Sequence, residues 1–230
     1  MRDLEMRHVS QPVEFRSADD GPGTLDGYAI VFNKYSQNLG GFVERVDPAA
    51  ATKSVSDKLP VVARYNHDDN FLLGTIEAGT LRLEVDDVGV RYIVDLPDTS
   101  AGRDVAALAK RGDLRYSSFA FHTLEDEWDV TEQGFPLRTL RSIQLVDVAP
   151  VVNPAYRDST VGVRSLAEHL HIEVDAVAAA STDELRSLLS GEPVETPVEV
   201  RADEQEEEGQ SETHPSITMR QRLLELDNLK

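Results

Sequence analysis

Cysteine is absent from this chain, which excludes a disulfide framework and a thiolate zinc site and agrees with a cytoplasmic compartment without fixing it. Long apolar runs are absent too. No stretch approaches the roughly 20 residues of a membrane span, and Met1-Arg2-Asp3-Leu4-Glu5 carries no signal-peptide pattern. Basic residues are scarce: 23 Lys and Arg against 42 Asp and Glu give a formal net charge of -19. Direct nucleic-acid binding normally needs a basic face, so that class is disfavoured. Among motifs, there is no Gly-x-Ser-x-Gly elbow, P-loop, dinucleotide fingerprint or His-Glu-x-x-His. The expectation is a soluble chain of intracellular type, contacting neither membrane nor nucleic acid directly. Its 230 residues allow one core of about 150 residues plus extensions.

What is present reads mainly as β-structure. Residues 12–18 and 27–33 look like strands around Asp19-Asp20-Gly21-Pro22-Gly23, which has strong turn chemistry. Phe42-Val43-Glu44-Arg45-Val46 is a short strand, and Asp47-Pro48 predicts the start of a helix running to about Ser54. Extended structure at 60–66 ends in the polar cluster Asn66-His67-Asp68-Asp69-Asn70. Strands follow at about 72–78, 80–86 and 89–96, the last two joined as a hairpin. Thr99 or Ser100 caps a helix whose core face carries Val105, Leu108 and Ala109 and which ends at Gly112. Strands at 114–123, 125–130, 137–144 and onward to Pro150 bring the number to about nine. The expected fold class is therefore mainly β with helical insertions (α+β), a barrel or a sandwich.

The stretch Leu114-Arg115-Tyr116-Ser117-Ser118-Phe119-Ala120-Phe121 is central. Alternation puts Leu114, Tyr116, Ser118 and Ala120 on one face and Arg115, Ser117, Phe119 and Phe121 on the other. One serine thus lies among bulky apolar side chains, where its hydroxyl needs a hydrogen-bond partner. That partner is either structural or a histidine that makes the serine a nucleophile. Of six histidines, His8 lies in an N-terminal segment expected to be mobile. His214 sits beside Pro215, and His169 and His171 point to different faces of a helix. His67 closes a strand-like run, and His122 follows the central strand as a second candidate base or an exposed strand end. Asp147, inside the apolar run from Ile143 to Val152, is either a solvated edge-strand acid or an inward acid requiring a cation or an imidazole.

Beyond Val163 the character changes. Residues 164–190 carry helical signals, including the capping-box match Ser181-Thr182-Asp183-Glu184. Residues 191–216 are rich in proline and acids and read as a disordered linker. Residues 217–230, with Thr218 and Gln221 at capping-box spacing and Leu223, Leu224, Leu226 and Leu229 following, read as an amphipathic helix, either for binding a partner or folded back on the main domain or frayed.

Taken in order, several blocks resemble a known family. They are Gly27-Tyr28-Ala29-Ile30-Val31-Phe32, Phe42-Val43-Glu44-Arg45-Val46-Asp47-Pro48, Asn66-His67-Asp68, the stretch from Gly112 to Phe121, and the stretch from Leu145 to Tyr156. Together, over about residues 12–163, they are similar to the tailed-phage prohead (capsid maturation) proteases. The resemblance implies a serine endopeptidase with a herpesvirus-assemblin-like β-barrel over residues 1–163. It also implies that the enzyme works inside the immature phage shell in the host cytoplasm and trims the major capsid protein, its scaffold segment and itself. No cofactor or metal is implied, and homo-oligomers occur among related enzymes. Residue by residue, the family's histidine falls on His67, its serine on Ser118 and its acid on Asp147. This chain departs from the family pattern where Ala120 replaces the usual glycine and Ala149 a frequent serine. Two rival readings use the same residues: a non-catalytic scaffold that keeps the barrel, and a metal-dependent hydrolase using His67, Asp68 and His122.

Overall fold

Two β-sheets dominate the computed structural model, which describes residues 3–19, 21–57, 59–152 and 160–191. The chain forms β1 (Leu4–Val9), β2 (Glu14–Arg16), β3 (Thr24–Val31), β4 (Val43–Val46) and helix α1 (Thr52–Ser56), then β5 (Val62–Arg64) and a 3-10 turn at Tyr65–His67. Next come β6 (Leu72–Thr75), β7 (Leu81–Val85), β8 (Gly89–Asp95), α2 (Ser100–Arg111), β9 (Tyr116–Val130) and β10 (Pro136–Val151). Helices α3 (Thr160–Leu170), α4 (Val174–Ala179) and α5 (Thr182–Ser190) follow. One sheet has the order β1-β9-β10-β5-β6, with β4 also on β10; the other runs β2-β3-β8-β7. The mainly β expectation with helical insertions holds. The closed barrel is not found: among the described residues each strand order has two ends, and no ladder joins one sheet to the other.

The alternation of apolar side chains explains why these sheets meet. Leu25, Ile30, Val90, Tyr92 and Val94 from the smaller sheet share one buried core with Ala63, Leu73, Phe119, Phe121, Leu145 and Val148 from the larger. Each Val, Leu, Ile or Phe among them, taken from water to full burial, stabilises the fold by about 1.5–3 kcal/mol. Helix α2 closes as its sequence predicts. Thr99 Oγ1 accepts from Gly102 N–H, and Gly112 ends the helix with φ 82°, the left-handed region where glycine has no steric penalty.

β10 is the backbone of the larger sheet. It runs antiparallel to β9 and parallel to β4 over Leu137–Leu140 and to β5 at Asp147–Val148. Between those partners its backbone groups turn to helix α1 and the residues leading into it. Ile143 N–H donates to Ala50 O, Ser54 Oγ–H to Ile143 O, and Leu145 N–H to Ser54 Oγ. Buried backbone groups are thereby satisfied where no strand reaches. The helix itself starts later than expected: Asp47 caps the turn before it by accepting from Ala49 N–H, and Thr52 is the first helical residue.

Two further expectations are corrected. His8 is not in a mobile arm, because Leu4–Val9 pairs antiparallel with β9 from Leu4↔His122 to Val9↔Ser117. The three strands expected at 114–123, 125–130 and from 137 on to Pro150 are two long ones. Register shifts at Leu140/Ser142, Ser142/Ile143 and Leu145/Asp147 bend the ladder without ending it. Helices α3–α5 bury Leu166, Ala167, Val177 and Leu185 together, with Trp128 of β9 packed against them. The capping box forms as read, Ser181 to Glu184. Residues 192–216 of the linker, the helix proposed for 217–230 and the block Asn153-Pro154-Ala155-Tyr156 lie outside the described residues.

Candidate active site

The register of the larger sheet assembles one polar constellation on one face. Ser118 of β9 is the Cα partner of Ala149 on β10, and Ala120 is the partner of Asp147. Partners across a ladder and residues two apart along a strand share a face. Ser118, Ala120, Ala149 and Asp147 therefore line the same side, and all four are buried. The shift between Leu145 and Asp147 keeps Asp147 on that side. Because Ala120 and Ala149 are both small, the face stays open to a side chain arriving from elsewhere.

That side chain is His67. The chain leaves β5, enters the turn at Tyr65–His67 and takes left-handed backbone angles at Asn66 (φ 53°) and His67 (φ 58°). Such angles cost an ordinary L-residue about 1–2 kcal/mol. They persist where surrounding contacts enforce them. One such contact is Val152 N–H donating to Asn66 Oδ1 at 3.3 Å. The imidazole then lies between the two strands: Nδ1 is 2.5 Å from Asp147 Oδ1 and Nε2 is 2.6 Å from Ser118 Oγ. A carboxylate can only accept, so Nδ1 carries the proton and Nε2 of the neutral ring is free to accept from the Ser118 hydroxyl. Chemically, this is a hydroxyl whose proton has a base to go to, with a carboxylate behind that base.

The two serines are now distinguishable. Ser117 faces the core, where its Oγ lies 3.1 Å from the buried Tyr92 hydroxyl. Burial pushes the Tyr92 phenol well above its usual range, and its bond to Ser117 only partly offsets this. Ser117 thus has a structural partner, and Ser118 has the imidazole. Ser118 Oγ also lies 2.9 Å from the carbonyl oxygen of Arg7 on β1, a neighbour that the sequence did not suggest. His122 is four residues further along β9, with Nδ1 3.1 Å from Asp3 O. Among the described residues, no group of three or more His, Asp or Glu side chains converges as a metal site.

Two functional neighbours escaped the sequence. Arg64, at the end of β5, donates from Nη1 to Asp147 Oδ2 at 3.2 Å. The Arg7 carbonyl is presented by a strand that the sequence left unassigned. Arg7 is fixed from behind by a buried ion cluster. Its guanidinium pairs with Glu5 and Glu44, and Arg138 pairs with the same two acids and with Asp126. Burial disfavours the Glu5 carboxylate, but the Arg138 hydrogen bond and the Arg138 and Arg7 charges outweigh it, so its pKa falls below the ordinary 4.5.

Comparison with known proteins gives three findings. A family model described as the Caudovirus prohead serine protease matches residues 11–172. Among solved structures, the capsid assembly protease of bacteriophage T4 is similar, with 14% sequence identity and a TM-score of 0.47 over 66% of this chain and 99% of that one. No curated protein matches the chain.

Proposed function

The chain belongs to the caudovirus prohead serine protease family, and from that membership we propose that it cleaves capsid and scaffold subunits inside the immature shell through Ser118, His67 and Asp147. The single observation that carries this reading is the continuous chain Ser118 Oγ–His67 Nε2 and His67 Nδ1–Asp147 Oδ1. A serine hydroxyl is a weak nucleophile near neutral pH until an adjacent base takes its proton. His67 takes it as Ser118 Oγ attacks the scissile carbonyl carbon, and then delivers it to the leaving amine nitrogen. The acyl-enzyme ester that remains is hydrolysed by water, with His67 again the base and Ser118 the leaving group. Asp147 keeps the ring in the tautomer with the proton on Nδ1 and stabilises the imidazolium formed at each step.

The substrate proposal includes the chain itself. Self-cleavage is placed within about residues 165–216, a range that includes the acidic, proline-containing stretch 191–216. The segment 217–230 would dock the uncleaved protein to scaffold or capsid subunits.

A fluorophosphonate probe tests the chemistry. It should modify Ser118 in the full chain. Ser118→Ala should abolish the adduct, Ser117→Ala should keep it, and Asp147→Asn should slow it by up to about 10⁴-fold. An adduct on Ser117, or none, refutes the assignment and leaves the scaffold reading. Comparing masses of the chain and its Ser118→Ala form after expression tests self-cleavage; equal truncation in both rejects it.

A further inference from the structure

We propose that Arg64 is a positioning residue of this site, holding one oxygen of Asp147 so that the other is locked onto His67. The inference rests on the serine-protease reading and extends it to how the acid is held.

The placement follows from register. β5 and β10 run parallel with Val62↔Asp147 and Ala63↔Val148 as partners. Arg64 is two residues beyond Val62 and so shares the face that carries Asp147. Two and three residues later, the left-handed turn at Asn66 and His67 folds the chain back. One short segment therefore sends two side chains to one carboxylate. His67 Nδ1 meets Oδ1 at 2.5 Å and Arg64 Nη1 meets Oδ2 at 3.2 Å.

The division of labour matters because Asp147 is only 2% exposed. A carboxylate bound through one oxygen alone is free to rotate about its own axis. A second donor on the other oxygen removes that freedom and supplies the opposite charge that a buried carboxylate needs. Orientation is what the imidazole requires of its acid. Arg64 Nη1 also lies 2.9 Å from Asp69 Oδ1, but that side chain is 82% exposed. A solvated pair of this kind holds little. The contact with Asp147 is the one the site uses.

The test uses the full chain and the rate at which a fluorophosphonate modifies Ser118. Arg64→Gln should slow modification by about 10- to 100-fold, the effect of a small misplacement. Added guanidinium ion, or Arg64→Lys, should restore part of the rate. Asp69→Asn should behave as the wild type. In the ¹H–¹⁵N spectrum, the His67 Nδ1–H signal should shift or broaden in Arg64→Gln and recover with guanidinium. Wild-type rates in Arg64→Gln overturn the proposal, as does a slow rate with no rescue and an unchanged His67 signal. Asp69→Asn as slow as Arg64→Gln overturns the choice of partner. If Arg64→Gln does not fold, Arg64→Lys carries the test, and a wild-type rate and spectrum there overturn the proposal. A wild-type chain that the probe never modifies defeats the serine-protease reading instead, and the His67 signal still decides whether Arg64 orders Asp147.

Discussion

Replacing Arg138 with methionine removes a guanidinium that is 1% exposed. Arg138 donates from Nη1 to Glu5 Oε2 at 2.7 Å and to Glu44 Oε2 at 3.0 Å, and from Nε to Asp126 Oδ2 at 2.7 Å. Its Nη2 reaches Glu5 Oε1 and Thr123 Oγ1, both at 3.2 Å. After the substitution, Arg7 alone faces two buried carboxylates, Glu5 and Glu44. One buried negative charge is left without compensation, which costs about 3–5 kcal/mol. For a chain of this size that lowers Tm by about 6–20 °C at roughly 2–4 °C per kcal/mol. Trp128, the sole tryptophan, packs edge-on against Phe42 at 5.0 Å between ring centroids and reports unfolding by its fluorescence. Denaturant midpoints of a double-mutant cycle complete the test. Glu5→Gln should destabilise the wild type but relieve the Arg138→Met form, because it then removes the stranded charge. A cost below about 1 kcal/mol for Arg138→Met, the scale of an exposed pair, would refute the reasoning. An identical cost of Glu5→Gln in both backgrounds would refute it equally.

Acid should act through the same cluster. Because the Glu5 pKa is lowered on folding from its ordinary 4.5, its contribution is fully present above pH 4.5 and is lost as pH falls through the depressed folded value. The Tm advantage of the wild type over Glu5→Gln should therefore shrink on titration from neutral to pH 3, and an advantage independent of pH would contradict the lowered value. Tyr92→Phe deprives the buried Ser117 hydroxyl of its partner and should cost about 1–3 kcal/mol by denaturant titration, while the double change with Ser117→Ala should be nearly neutral. Fluorophosphonate modification of Ser118 should proceed at the wild-type rate in Tyr92→Phe; a collapse would mean that the two serines do not divide the roles as described.

Where local chemistry decides an element, the sequence was legible. The caps at Thr99 and Gly112, the capping box at Ser181 and the strands of the smaller sheet stand where turn residues and alternation put them. β1 was not legible because its pattern is inverted. In Leu4-Glu5-Met6-Arg7-His8-Val9 the inward positions are Glu5, Arg7 and Val9, while Leu4 is exposed. An apolar-in reading rejects such a strand, and the Glu5–Arg7 pair together with the distant partners Glu44, Thr123 and Arg138 makes its charges tolerable inside. The strand end at 123 failed for a related reason: the bulge at Leu124, which bends β9 without ending it, has no residue signature. At the site, alternation separated Ser117 from Ser118 but did not choose between them; the choice came from family resemblance. Tyr92 and His67 are 25 and 51 residues away in sequence from the serines they touch. Arg64 is three residues from His67, yet its role appears only when β5 pairs with β10.

The two neighbours of the Ser118 hydroxyl connect the ion cluster to the chemistry. Oγ lies 2.6 Å from His67 Nε2 and 2.9 Å from Arg7 O, and it has a single proton to give. With a neutral imidazole, that proton must point to Nε2, since two lone pairs at 2.6 Å would repel. With an imidazolium, Nε2–H donates to Oγ, and the hydroxyl proton turns to the Arg7 carbonyl. The imidazolium state with an intact serine hydroxyl is then fully hydrogen-bonded with no heavy atom moved, whereas in the neutral state the one proton serves Nε2 alone. This works only while β1 keeps its register, His8 opposite Ser118. What keeps it there is the burial of Glu5 and Arg7 among Glu44 and Arg138. The charged residues that hid β1 from a hydrophobic reading of the sequence are thus the ones that hold a carbonyl against the serine.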